Sequence, residues 1–181
     1  MKKTLGILLV TVLVLLTLAA APALAAGKNG PSGKSNTGHL YLYEKDPVTW
    51  QIVDGGAWGK MKYKLSASTF KFVFNGHKLE AGLDYTLIYY PDPWPGEGLI
   101  CLGSGTADDD GNVHIKGSTN TGDLPAAYDA NHPDNDPEYA GAKIWLVLSG
   151  DVDCTNQKMN GWQPSEYLFE YDTIWFDDTD A

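Results

Sequence analysis

The side chains with the most evident chemical potential are carboxylates gathered on turn-forming segments. Asp108, Asp109, Asp110 and Asn112 crowd one short stretch, and Asp129, Asn131, Asp134, Asn135, Asp136 and Glu138 fall within another. Calcium takes roughly six to eight oxygen ligands, so these acids and amides are candidate ligands and Ca2+ is the one candidate cofactor. Neither segment has the glycine and the terminal glutamate of a helix-loop-helix calcium loop. The competing explanation is that Asp and Asn simply form turns and keep the chain soluble.

Other chemistries find less support. Ser104, in Gly103-Ser104-Gly105, lacks the spacing of a nucleophile elbow and falls inside an expected strand. The four histidines (His39, His77, His114 and His132) form no metal-binding pattern, which argues against catalytic zinc. Glycoside hydrolysis needs two carboxyls facing each other across a cleft, and among 23 acids the sequence singles out no such pair. No catalytic residue is assigned.

Aromatic residues on loops are the remaining signal. Trp94 stands between Pro93 and Pro95 in a stiff connection, and Trp162 follows Asn160-Gly161 and precedes Gln163-Pro164. Rigid indoles beside amides and carboxylates suit stacking on sugar rings or anchoring a protein partner. The alternative is that both fold back over the ends of the domain.

Compartment and charge narrow the partners. Lys2 and Lys3, the apolar run from Leu5 to Ala21, and the small residues Ala23 and Ala25 have the layout of a secretion signal over residues 1–26. Its removal leaves a soluble product at the cell exterior or in the envelope, with protein or carbohydrate as the expected partner. An uncleaved anchor is the competing reading. All 13 basic residues are lysine, and the absence of arginine with a net charge of −10 argues against nucleic acid and anionic membranes. From Lys28 to Tyr90 there are 8 lysines against 5 acids; from Pro91 onward there are 3 against 18. Cys101 and Cys154 are the only cysteines, and in an exported chain they read as one disulfide.

Short runs of Tyr, Phe, Val, Ile and Thr, separated by Gly, Pro, Asn and Asp, position these residues, and no long helical period occurs. Residues 27–38 read as a flexible leader, 39–176 as one domain, and 177–181 as a frayed acidic tail. Strands are expected over Leu40–Glu44, Thr49–Val53, Lys60–Ser66, Thr69–Asn75, Asp84–Tyr90, Leu99–Ala107, Asn112–Gly117 and Ala142–Ser149, then Tyr167–Glu170 and Thr173–Phe176. Met61, Tyr63 and Leu65 alternate with Lys60, Lys62 and Lys64, the mark of a half-buried strand. Asp84–Tyr90 and Ala142–Ser149 are apolar on both faces, as central strands are. Asp108 to Gly111 is expected to turn a hairpin between its flanking strands.

Leu79-Glu-Ala-Gly-Leu-Asp-Tyr85 resembles the corner sequence of fibronectin type III and other immunoglobulin-like sandwiches. That resemblance implies that Tyr85 packs its ring in the core and bonds backbone upstream, holding the crossing between sheets. The expected fold is therefore an all-β antiparallel sandwich, immunoglobulin-like, of about eight to ten strands with one disulfide; jelly roll and barrel are the alternatives. A non-catalytic binding or surface-assembly module, steadied by calcium, is the leading functional expectation. A small carboxylate-dependent glycan hydrolase and a structural envelope component are its rivals.

Overall fold

The computed structural model describes residues 35–124 and 141–180. Its strands are β1 (Gly38–Tyr43), β2 (Trp58–Tyr63), β3 (Ser66–Ala67), β4 (Phe70–His77), β5 (Asp84–Tyr90), β6 (Ile100–Thr106), β7 (Val113–Thr119), β8 (Lys143–Leu148), β9 (Val152–Asp153), β10 (Lys158–Met159), β11 (Phe169–Glu170) and β12 (Asp177–Asp178). The fold is an all-β antiparallel sandwich. A five-stranded sheet in the order β11-β1-β2-β4-β7 faces a three-stranded sheet in the order β6-β5-β8.

Alternation explains the first sheet. Leu40, Leu42, Met61, Tyr63, Phe70, Phe72 and Phe74 are buried between the sheets, while Tyr41, Lys62, Lys71 and Val73 point to solvent. The second sheet is packed on both faces, as its apolar strands require. Tyr85, Leu87, Ile144 and Leu146 enter the core between the sheets; Ile88, Tyr90, Trp145 and Val147 face the other way, into a second core completed by Leu99, Val152, Met159, Tyr167 and Phe169. Segments 91–99 and 149–167 thus form a third layer over the small sheet. The Cys101–Cys154 disulfide, closing 53 residues, ties that layer to β6.

The crossing from the large to the small sheet between β4 and β5 is held by Tyr85, which is 1% exposed and accepts a hydrogen bond from the Glu80 N–H at 3.3 Å. At the far side the chain changes sheet within three residues: Leu168 bridges Leu146 of β8, and Phe169–Glu170 then pair with β1.

Four expectations need correction. Asp108–Gly111 reverses the chain, with the Gly111 N–H bonded to the Asp108 carbonyl, but β6 and β7 are not a hairpin: β6 pairs with β5 and β7 with β4. The two strands instead stack face to face across the sandwich. Glycine permits that approach, since a Cβ on Gly103 would lie 2.9 Å from Ile115 and one on Gly117 2.9 Å from the Leu102 carbonyl. Thr49–Val53 is not a strand; Ile52 makes a single bridge to Lys45 and the rest is a turn. The acids from Asp177 onward are no loose tail, because β12 pairs in parallel with β3 and Ser66 Oγ donates to Asp177 at 2.9 Å. The ordered chain likewise starts before His39: Asn36 exchanges hydrogen bonds with the Ser66 backbone, and Gly38 is buried.

Candidate functional site

Trp94 and Trp162, singled out by sequence, come together, and a third tryptophan joins them. The Trp162 ring lies 5.4 Å from Trp94 and 6.3 Å from Trp50, with interplanar angles of 74° and 42°. All three remain about half exposed, at 51%, 41% and 48% for Trp94, Trp162 and Trp50. Beneath them, Trp162 packs edge-on against Tyr167 and Trp50 edge-on against Phe169. Trp145, buried, stacks on Tyr90 with centroids 3.8 Å apart. Neither arrangement foreseen for Trp94 and Trp162 describes them fully: they cover the second core with one side and meet solvent with the other.

Three loops supply the exposed indoles, and each is fixed by local hydrogen bonds. Asp46 Oδ1 accepts from the Val48 and Thr49 N–H groups, and the Trp50 N–H donates to the Asp46 carbonyl at 2.8 Å. This holds Trp50 at φ 58°, a left-handed conformation that a bulky side chain rarely adopts and that costs roughly 1 kcal/mol or more. The Trp94 loop is anchored by the Met159 N–H to the Pro95 carbonyl and the Gly98 N–H to the Gln157 carbonyl, both 2.9 Å. The Trp162 loop is built on Asp151, which is 8% exposed; its carboxylate accepts from the Tyr167 hydroxyl at 2.6 Å and from Gln163 Nε2 at 2.9 Å, and its carbonyl accepts from the Asn160 and Gly161 N–H groups. A side chain at Gly161 would collide with the Asp151 carboxylate, its Cβ only 2.1 Å from Oδ1. Burial, then Asp151, pushes the Tyr167 phenol up.

Sequence reasoning missed Trp50 because its neighbours look strand-like. The usable signal was Asp46-Pro47, a turn opener that takes the chain out of extended geometry before Trp50.

Next to this cluster lies a partly buried carboxyl with one oxygen shut in the fold. Glu170 Oε2 and Trp145 Nε1 are both closed off from solvent without a partner at hydrogen-bond geometry. Burial pushes the Glu170 carboxyl up from 4.5 to about 7, against the opposing pull of Lys45, Lys143 and the nearby Trp145 N–H. Lys143 itself forms an ion pair with Asp92, just before Trp94. Burial, then Asp92, raises the Tyr90 phenol to about 12.

The other expected site residues are placed as follows. Asp108 Oδ1 accepts from the Asp110 and Asn112 N–H groups at 3.0 and 2.8 Å, and Asn112 Oδ1 is bonded to His77 Nδ1 at 2.8 Å. These oxygens shape their own turn. No group of three or more His, Cys, Asp or Glu among the described residues is arranged to hold a metal ion. Asp129, Asn131, Asp134, Asp136 and Glu138 lie outside the described residues, as does His132. Ser104 Oγ bonds the Thr86 hydroxyl at 2.9 Å, which joins Ser149 Oγ at 2.8 Å. That is a row of hydroxyls with no base in it. His114 is exposed and bonded to Asn75 at 2.7 Å.

Set against protein-family models, curated proteins and solved structures, the chain matches none of them.

Proposed function

We propose that this protein is an exported, non-catalytic binding module whose contact surface is the Trp50, Trp94 and Trp162 cluster and whose ligand is carbohydrate. The observation that carries the reading is three half-exposed indoles on three loops, each loop fixed by its own hydrogen bonds. A surface ordered in advance loses less entropy when it binds. Indole faces offer area to the C–H faces of sugar rings, and Asp92 and Gln163 stand beside them as polar neighbours. Angles of 42° and 74° between the rings do not suit a flat crystalline surface; they suit a single glycan chain that turns between units.

The hydrolase alternative is weaker on chemical grounds. Glu170 has the raised proton affinity of a general acid, but its Oε2 is closed off from solvent where a substrate would have to reach. The immunoglobulin-like plan belongs to the same proposal, supported by the Glu80 to Tyr85 bond at the corner. So does a calcium contribution, assigned to the acids of residues 129–138. An unfolding midpoint that rises with calcium over chelator supports that assignment, and an unchanged midpoint removes it.

Tryptophan emission during titration with soluble oligosaccharides of glucose, xylose, mannose and N-acetylglucosamine tests the main reading. Binding of one series, weakened roughly tenfold by Trp94→Ala or Trp162→Ala with the fold retained, supports it. No response to any series, with capture of a protein partner that Trp162→Ala abolishes, would replace carbohydrate by protein.

A further inference from the structure

β1, β2, β4 and β7 contain no aspartate or glutamate, although the whole chain carries 23 acids. Pairing of these strands sets their outward residues in rows. His39 stands beside Lys62, Lys62 beside Val73, and Val73 beside Lys116; Tyr41 stands beside Lys60, and Lys71 beside Ser118. Lys64, one residue beyond β2, bonds the Lys71 carbonyl through its N–H. Lys60, Lys62, Lys64, Lys71 and Lys116 thus share one face, and among the described residues none of them has a carboxylate partner. An open groove of about 560 Å³ is lined by Lys62, Lys64, Lys71 and Lys116, and also by Phe72 and Val73.

Neighbouring strands lie roughly 5 Å apart and alternate residues roughly 7 Å, so these ammonium groups repel one another. Their field is felt by His39, whose imidazole is held below its ordinary value by burial and then by Lys60 and Lys62. Alternation requires only polar residues here, and a mixture of signs would cost less. Along the groove Val73, 38% exposed, is the one large apolar side chain open to solvent, Tyr41 and Tyr171 standing to one side of it at 38% and 46%, whereas a protein interface needs a desolvated core. Lysines without arginine offer point charges rather than forks, and a chain of net charge −10 repels a densely charged duplex more than a sparsely charged chain.

We propose that this face binds a linear acidic polysaccharide, with its carboxylate or sulfate groups lying along the groove lined by Lys62, Lys64, Lys71 and Lys116. The groove shares no residue with the tryptophan cluster, so either site can fail without the other.

The probes are polygalacturonate and dextran sulfate, with neutral dextran as control, titrated against the full chain. Binding of an acidic probe and not of dextran is expected, weakening steeply between about 50 and 200 mM salt as counterions are released. Combined Lys62→Gln, Lys64→Gln, Lys71→Gln and Lys116→Gln should weaken it on the order of tenfold or more. Lys78→Gln with Lys158→Gln, which removes charge elsewhere, should leave it within about twofold, and unfolding midpoints check that both variants fold. Failure of the wild type to bind either acidic probe at low salt overturns the proposal, as does equal loss in the two variants. Should the chain self-associate without probe and the fourfold variant sediment as a monomer, the face belongs to a second copy, and the polysaccharide assignment falls.

Discussion

The outward faces of the two sheets obey the same alternation and end in opposite environments. On the five-stranded sheet the outward positions are mainly lysine, histidine, tyrosine, valine and small polar residues, with the half-buried Trp58 at one end, and most of them stay in water. On the three-stranded sheet they are Ile88, Tyr90, Trp145 and Val147, and a third layer covers them. An apolar outward row cannot be left wet at roughly 25 cal/mol per Å², so the chain covers it before β6 and again after β8, and Trp94 and Trp162 of that cover meet Trp50 of the β1–β2 loop in the tryptophan cluster. The outer face of one sheet therefore presents charge, and the loops over the other present rings. The lesson is that the candidate binding surface is the upper side of a packing solution.

If the cover is part of the same cooperative unit, its covalent tie should dominate its stability. Cys101→Ala with Cys154→Ala opens a 53-residue loop and is expected to cost about 4 kcal/mol, read as a lower urea midpoint. Tryptophan emission and far-ultraviolet dichroism should then fall together. An earlier emission transition, with the strands still folded, would show that the layer unfolds apart from the sandwich and would break the comparison.

Glu170 probes the place where β11 passes from one sheet to the other. Below pH 4.5 the carboxyl is protonated in both folded and unfolded chains. Between 4.5 and about 7 the folded state alone keeps the proton, and above that the folded chain holds a carboxylate in a poor setting. Stability should consequently fall as pH rises through that window, by about 3 kcal/mol from this group. Glu170→Gln should flatten the slope between pH 5 and pH 8 in urea unfolding. An equal slope in the variant would assign the pH dependence to other groups.

Local rules made the strands legible. The Lys60 to Lys64 alternation, the Phe70, Phe72 and Phe74 row, the doubly apolar β5 and β8, and the Cys101–Cys154 pairing all follow from residue type and spacing. What failed was partner choice. Asp108 to Gly111 encodes a reversal of direction, and the same turn serves strands that pair side by side or stack face to face. The deciding residues, Gly103, Gly105 and Gly117, act by allowing close approach to a strand elsewhere, which no local rule reads. The site was half legible for the same reason. Trp94 and Trp162 stand out because proline or glycine surrounds them, but their meeting with Trp50 depends on three loops far apart in sequence.

The sharpest form of the comparison uses one substitution on both faces. Val147 and Val73 each lie on the outward side of a strand; Val147 is wholly buried and Val73 is 38% exposed. Val147→Ala removes two methyl groups from the second core and leaves a cavity there, a loss of about 2 to 3 kcal/mol. Val73→Ala changes little beyond β-propensity, no more than about 1 kcal/mol. Urea midpoints of the two variants measure the difference directly. Equal losses would mean that the lysine-rich face is also covered in solution, by a second copy or another segment of the chain, and the contrast between a wet and a dry sheet would not stand. Unequal losses in the expected order leave the face bare, and a bare face carrying five lysines, none with a carboxylate partner among the described residues, is free to take an anionic chain.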